Sequence, residues 1–482
     1  MFIYPGNYAR GIVLLILMMI SSFAYSRVCE DGSVLSKDPR TLKDSLILLK
    51  NVALLDIKTD SGVEPTCDYI DKSKRPPGTI GEGIANCTKE PGRCVMYVGG
   101  AIIYDSGEFV KSESGMTIKI RGNTSALYSE KKPYKLKLQK KADLLFRDDP
   151  DHKIKDWVLL KGETLYEILS WELNRLLDYT WVPNESYVNV FLNDDYKGLY
   201  LLCEPIKRGS SLIDVDKDNG FIFEYDPYWW NEAMYVPSSI DYRFQYTFKY
   251  PEADDFTPHQ VEYITDYCAK MEKAILEGGY DSYIDVKTFA LWMIGHDVLG
   301  TGDGAGTNKY FVKEQENGLV KMGPMWDFDS IEMENEKWSK IHDKYPFGTT
   351  IFGSVDNTFM VEYVNQWNDC WPKLKSGIEQ WLESFSGETN LINDLNFSRE
   401  KNSGRWNYDL ITVEDELEKH NLWFSKRFAW LNVQIAKLGA TSIFAPINNS
   451  SQTTKNKTYD LRGMQTMQPH GAYIRERRVY IK

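Results

Sequence analysis

Two polar clusters near the middle of the chain have residue types and spacings suited to phosphoryl transfer. Asp303 and Asn308 stand with four residues between them, in the run Asp-Gly-Ala-Gly-Thr-Asn. Asp327 and Asp329 follow the turn Gly323-Pro324, in the block Met325-Trp326-Asp327-Phe328-Asp329. In a phosphoryl-transfer site one carboxylate accepts the proton of the attacking hydroxyl. An amide oxygen and a second carboxylate hold Mg²⁺ against the nucleotide phosphates.

Such chemistry also needs cations, and the chain supplies candidates upstream. Met116–Ile120 alternates with a period of two and ends at Arg121-Gly122-Asn123-Thr124-Ser125. Gly-Asn signals a turn, and Arg, Thr and Ser beside open backbone N–H groups suit an anion. The next strand, Pro133–Leu138, places Lys135 and Lys137 on one face and its leucines on the other. Taken alone, these residues fit a lid over nucleotide phosphates or an ordinary hairpin with solvated lysines.

The positioning elements follow from periodicity. Trp157–Leu160 continues the sheet, and Thr164–Leu177 reads as a helix with Leu165, Leu169, Leu173 and Leu176 on one stripe. Glu167 or Glu172 on that helix is placed to salt-bridge the strand lysine, or else to be solvated. Tyr187–Leu192, Gly198–Cys203 and Gly220–Tyr225 read as strands. Val261–Leu276 and Val286–Leu299 read as amphipathic helices, the second leading to Asp303. Beyond Asp329 the pattern is mainly helical, over Val361–Phe385 and Ile411–Leu438, and Asn448–Lys457 is a linker by composition. Tyr459–Lys482 reads as two short strands.

Composition narrows the classes. The 482 residues are 42% hydrophobic and 13% aromatic, enough for a large core, and the net charge of -12 argues against a nucleic-acid partner. Arg10 precedes the apolar run Ile12–Ile20, and Ala24-Tyr25-Ser26 offers a cleavage site. Nine apolar residues fall short of the roughly 20 that cross a bilayer, so 1–26 is expected to be an export signal rather than an uncleaved anchor. An exported chain lets cysteines oxidise, and Cys87 and Cys94 bracket a short loop that suits a disulfide. Cys203, Cys268 and Cys370 sit in apolar patterns and are expected as buried thiols. No paired Cys or His spacing suggests zinc.

Two other stretches have residues that suggest a site. Asp214–Gly220 looks like a calcium loop but has Asn219 and Tyr225 where an EF-hand needs Gly and Glu. Asp303 and Asp327 as paired carboxylates, with Tyr228-Trp229-Trp230 for sugar stacking, would suit a secreted glycoside hydrolase. That reading leaves the lysine strand and the Asp-to-Asn spacing unused.

Taken together, the motifs resemble the spore coat protein H (CotH) kinases, atypical secreted or spore-surface protein kinases, from about residue 50 to 440. The carriers are Ile120–Ser125, Lys131–Leu138, Val188–Asn193, Lys197–Glu204, Phe248–Pro251, Asp303 with Asn308-Lys309-Tyr310, and Pro324–Asp329. Arg427 and Trp430-Leu431 look like that family's closing helix. The resemblance implies an α+β, distantly protein-kinase-like fold with a β-rich N-terminal part and a helical C-terminal part. It also implies ATP, Mg²⁺, and transfer to Ser or Thr hydroxyls of secreted or surface proteins.

Carried over by position, Asp303 would serve the acceptor hydroxyl. Asn308 and Asp327 would hold Mg²⁺, with Asp329 a second ligand or orienting neighbour. Lys135 or Lys137 would reach the α/β phosphates, Arg121 and Ser125 would touch phosphate, and Lys249 is a further cation. The expected layout is a signal over 1–26 and a β-rich region over 27–115 whose later strands join a CotH-like domain at 116–440. A linker at 441–458 and a tail at 459–482 complete it.

The chain departs from ordinary protein kinases in one place and from the family pattern in another. Thr301-Gly302 replaces the His-Arg that precedes the catalytic Asp of ordinary protein kinases. Lys161-Gly162-Glu163-Thr164 runs straight into the helix with no Arg before Arg175. The second departure keeps a catalytically silent surface or adhesion module as the alternative. The tail resembles short sorting or attachment segments on exported proteins of some Gram-negative bacteria, and a plain β-hairpin fits it equally.

Overall fold

Alternation in the N-terminal half closes a barrel. In this computed structural model the described residues are 41–70, 73, 75–79, 83–108, 115–147, 149–179, 181–301, 308–328, 358–443 and the tail strands. The first part carries α1 (Leu42–Ile47), β1 (Ala53–Thr59), β2 (Asp68–Tyr69), β3 (Ile84–Ala85), β4 (Glu90–Val98), β5 (Ala101–Asp105), β6 (Met116–Ile120) and α2 (Thr124–Tyr128). It continues with β7 (Tyr134–Ala142), β8 (Ile154–Lys161), α3 (Tyr166–Leu176), β9 (Glu185–Leu192) and β10 (Asp195–Cys203). Strands pair in the order β1-β9-β10-β8-β7-β6-β4, and β4 pairs back onto β1, so the ring is complete. Every second residue points inward: Ile57, Met96, Ile118, Leu136, Trp157, Val190 and Leu202 pack there as one core.

Strands β8, β9 and β10 are buried on both faces, which explains their continuous apolar runs. Outward-facing Val158, Leu160, Leu199 and Leu201 join Leu165, Leu169 and Leu173 of α3 in the larger core.

That larger core is completed by β11 (Phe221–Asp226), β12 (Tyr235–Val236), β13 (Gln245–Tyr250), α4 (Pro258–Glu277), α5 (Val286–Leu299), β14 (Lys309–Lys313) and β15 (Val320–Met322). These strands form a second sheet in the order β12-β13-β11-β14-β15. Helices α6 (Thr358–Ser386), α7 (Thr389–Trp406) and α8 (Val413–Ile443) follow. The chain is therefore α+β, β-rich first and helical later. Helix α4 opens with a capping box between Thr257 and Gln260 and with Pro258 in its first turn.

Several expectations change. Helix α5 is not amphipathic: it is buried from Phe289 to Leu299 apart from Leu291, because β15, α3 and α6 all pack on it. Helix α7 had no apolar stripe to announce it, since its buried residues include Ser398, Arg399 and Asn402. Asn402 Oδ1 accepts from the Leu199 amide at 3.1 Å and from Lys131 Nζ at 2.9 Å, and Ser398 Oγ accepts from Asn189 Nδ2 at 2.8 Å.

The disulfide joins Cys67 to Cys87, not Cys87 to Cys94. The β2–β3 ladder brings Cys67 and Cys87 together, while Cys94 lies inside the barrel, where burial pushes its thiol up to about 12. Cys203 and Cys268 are buried free thiols, and Cys370 is half-buried. Asp214–Gly220 is a polar turn, in which Asp216 Oδ1 accepts from the Asn219 amide at 2.7 Å.

Residues 440–482 form a separate compact unit. It holds four strands rather than two: β16 (Thr458–Asp460), β17 (Gln465–Thr466), β18 (Ala472–Arg475) and β19 (Arg478–Ile481), in the antiparallel order β17-β16-β18-β19. No helix among the described residues is long and apolar enough to cross a membrane. The expected export signal lies outside the described residues.

Candidate active site

Asn308 and Asp327 are 19 residues apart in sequence, and the fold brings their side chains together. Asn308 stands at the start of β14 and Asp327 five residues after β15, and these strands are antiparallel neighbours. Asn308 Nδ2 donates to Asp327 Oδ2 at 3.2 Å, and both residues are half-buried. Both also have left-handed backbones, with φ of 58° and 68°. Non-glycine residues in this region are uncommon, and such strain collects at functional sites. Asp303 and Asp329 lie outside the described residues.

The Asp327 segment is held from above and below. The Phe328 amide donates to Glu167 Oε1 at 3.0 Å, and the Met325 amide donates to Asn174 Oδ1 at 3.1 Å. The Trp326 ring lies 5.6 Å from Trp171, and the Arg121 guanidinium sits 5.8 Å over the Trp326 ring. Phe328 is fully buried, its ring centroid 6.2 Å from that of His296. Burial drives the His296 imidazole down to about 3, so it is neutral.

Arg121 heads the turn expected to bind phosphate. Gly122 has φ of +88°, and Ser125 Oγ lies 2.6 Å from where a Cβ would stand, so only glycine fits. The turn winds into α2 instead of staying open, and Thr124 Oγ1 lies 3.0 Å from the Tyr228 hydroxyl.

The expected lysines separate. Lys249 on β13 pairs with Glu224 at 2.9 Å and lies 5.9 Å over the Tyr310 ring. Burial works against its charge, but Glu224, Tyr310 and Asp226 outweigh that and raise its pKa. The Tyr310 hydroxyl is raised by burial and by Glu224, with Lys249 and Arg121 opposing and Asp327 adding to the rise. Lys249 thus lies over Tyr310, two residues from Asn308, and Arg121 lies over Trp326, next to Asp327. Burial, then Glu224, pushes the Asp226 carboxyl up to about 7.

Lys135 belongs to a different network. It pairs with Asp156 at 3.1 Å, Asp156 also holds Lys207 at 3.1 Å, and Lys207 reaches Glu252 at 3.1 Å. The expected ion pair between a strand lysine and the α3 glutamates is replaced, because Asp156 on the adjacent strand is nearer to hand. Glu172 pairs with Arg175 at 3.4 Å, and Glu167 accepts the Phe328 amide. Lys137 is exposed opposite Asp156 in the ladder.

The abbreviated approach to α3 has a long-range substitute. No local side chain caps this helix, but Glu416 Oε1 on α8 accepts from the Leu165 amide at 2.7 Å, and its other oxygen is held by Arg399 at 2.7 Å. Sequence reading had no signal for Glu416, Asn174 or Trp171 in these roles. Tyr310 was visible only as a neighbour of Asn308.

A family model described as CotH kinase protein matches residues 118–372. The chain belongs to this family. No curated protein matches it. The matched stretch contains both clusters and extends from β6 into α6, so the CotH assignment covers barrel wall, α3, second sheet and the Asp327 segment together. It supports kinase-like chemistry for the chain.

Asn308 and Asp327 offer amide and carboxylate oxygens, the hard donors that Mg²⁺ prefers. Among the described residues no group of three or more His, Cys, Asp and Glu is placed to hold a metal ion. The oxygen pair fits a metal shared with phosphate oxygens and water, rather than one caged entirely by protein.

Proposed function

We propose that this CotH-family chain is an exported atypical protein kinase with a distantly protein-kinase-like fold. It transfers the γ-phosphate of ATP to Ser or Thr hydroxyls of secreted or surface proteins in a Mg²⁺-dependent reaction. The observation that carries the reading is the Asn308–Asp327 contact, made by two residues with left-handed backbones, with Arg121 over the neighbouring Trp326 ring and Lys249 over Tyr310. The family match supports it.

In this reading Asn308 and Asp327 hold the metal, with Asp329 as second ligand or orienting neighbour. Mg²⁺ there would draw charge from the phosphate oxygens and fix their orientation. Arg121 and Lys249 balance phosphate charge, and Ser125 shapes the turn that carries Arg121. Lys135 and Lys137 extend the positive face of the barrel wall. Asp303 accepts the proton of the acceptor hydroxyl as the new P–O bond forms and the bond to ADP breaks.

The test uses the mature chain with γ-labelled ATP, Mg²⁺ and casein. Asp327→Ala should lose Mg²⁺-dependent nucleotide binding and labelling. Asp303→Ala should bind nucleotide and fail to transfer. Labelling at the wild-type rate in both variants would sink the assignment.

A further inference from the structure

Helix α3 runs antiparallel along the Asp327 segment and grips it at three points. Glu167, Trp171 and Asn174 are spaced four and three residues apart, which puts them on one helical face. From the start of the helix to its end they meet the Phe328 amide, the Trp326 ring and the Met325 amide in turn. The two backbone contacts flank Asp327 and leave its side chain to the site.

The helix is a fixed rail. Its first turn is tied to α8 through Glu416 and the Leu165 amide. Near its end Arg175 bonds Glu185 and the Pro183 carbonyl, each at 2.9 Å. Asn174 is fully buried and is oriented by its own bond from Nδ2 to the Ser170 carbonyl at 2.7 Å. A mid-helix Asn carries a cost in helix propensity, which a side chain used to hold another segment's backbone offsets. What the rail holds is a strained conformation, since Asp327 has φ of 68°.

We propose that Glu167, Trp171 and Asn174 are positioning residues that set Asp327 for the metal, with Glu167 acting as an amide acceptor and not as the ion-pair partner of a strand lysine. The proposal rests on the reading of Asp327 as a metal ligand. Neutral glutamine presents the same Oε1 to the Phe328 amide, so charge and acceptor can be separated by substitution.

The experiment measures ATP binding by calorimetry across a Mg²⁺ titration, below each variant's melting temperature. It compares wild type, Asp327→Ala, Asn174→Leu, Glu167→Leu and Glu167→Gln. Asn174→Leu and Glu167→Leu should raise the Mg²⁺ needed for half-maximal binding by about 10- to 100-fold, the usual cost of losing a group that orients a metal ligand. Glu167→Gln should keep the wild-type Mg²⁺ dependence. Glu167→Gln behaving like Glu167→Leu would overturn the acceptor role. Wild-type Mg²⁺ dependence in Asn174→Leu and Glu167→Leu, with loss in Asp327→Ala, would overturn the clamp alone. Unchanged behaviour of Asp327→Ala would overturn the metal assignment beneath it. If Asn174→Leu does not fold, the two Glu167 variants decide the question.

Discussion

The barrel and the Asp327 segment are both packed, but only the second is also fixed by directed bonds from distant side chains. Inside the barrel, Leu136, Ile118 and Trp157 meet apolar side chains from adjacent strands, and the cohesion is non-directional. Along Met325–Phe328 the side chains of Met325, Trp326 and Phe328 are buried too, and hydrogen bonds to side chains 151 and 161 residues away set the backbone within that packing. A barrel residue can shift slightly and keep most of its burial. A buried backbone amide that loses its acceptor pays its full desolvation cost, so the second region is exact in geometry and sensitive to a single substitution.

The largest stability loss belongs to the barrel and should leave the chemistry intact. Leu136→Ala removes a fully buried side chain and should cost about 3 kcal/mol in denaturant unfolding. The Mg²⁺ dependence of nucleotide binding should be unchanged well below the midpoint. A shifted Mg²⁺ requirement would mean that barrel packing and site geometry are coupled.

Acid should act mainly on the helical side. His296 on α5 and His420 on α8 are both held near 3 by burial, whereas unfolded imidazoles titrate near 6.5. Below pH 6.5 the unfolded chain binds protons that the fold refuses, so their contribution is present above that pH and is lost on acidification. Asp226, raised to about 7, works the other way, because the fold takes up its proton first. As pH falls from 7 to 4.5 the histidines therefore favour unfolding and Asp226 opposes them. In melting against pH, His420→Gln should weaken the loss of stability on acidification. An identical pH profile in His420→Gln and wild type would show that this imidazole does not contribute.

The smallest effect on folding distinguishes the two lysine environments. Lys135→Met should cost less than about 1 kcal/mol because Asp156 keeps Lys207, whereas Lys249→Met strands the buried Glu224 carboxylate and should cost about 1–3 kcal/mol. Their effects on ATP affinity should differ: roughly tenfold for Lys249, which shares the surroundings of Tyr310 with Asp327, against under about threefold for Lys135 in its Asp156 pair. The reverse order would place the phosphates over the barrel wall.

What could be read in advance follows from where the information sits. Alternation of Leu136 and Leu138 with Lys135 and Lys137 marks a strand because side-chain direction has period two. Gly122 marked a turn because its φ is open only to glycine. Helix α7 was hidden because its buried face mixes polar with apolar residues: Ser398 and Asn402 bond to the barrel beside Ile392, Leu395 and Phe397, which leaves the hydrophobic stripe broken. Cys87 is nearer in sequence to Cys94 but is paired with Cys67, since a strand ladder and not sequence distance decides which sulfurs meet.

The residue types for the chemistry, the order of the two clusters, the alternating strands and most of the helices are legible along the chain. These depend on local periodicity and on the chemical nature of single residues. Folding in three dimensions closes the strands into a ring, gives Lys135 to Asp156 while Lys249 faces Tyr310, and sets Glu167 and Asn174 on the backbone around Asp327. Each of these is a contact between groups far apart in the chain. Which of several competing acceptors a cation or an amide finds is settled by packing, not by the residues on either side of it.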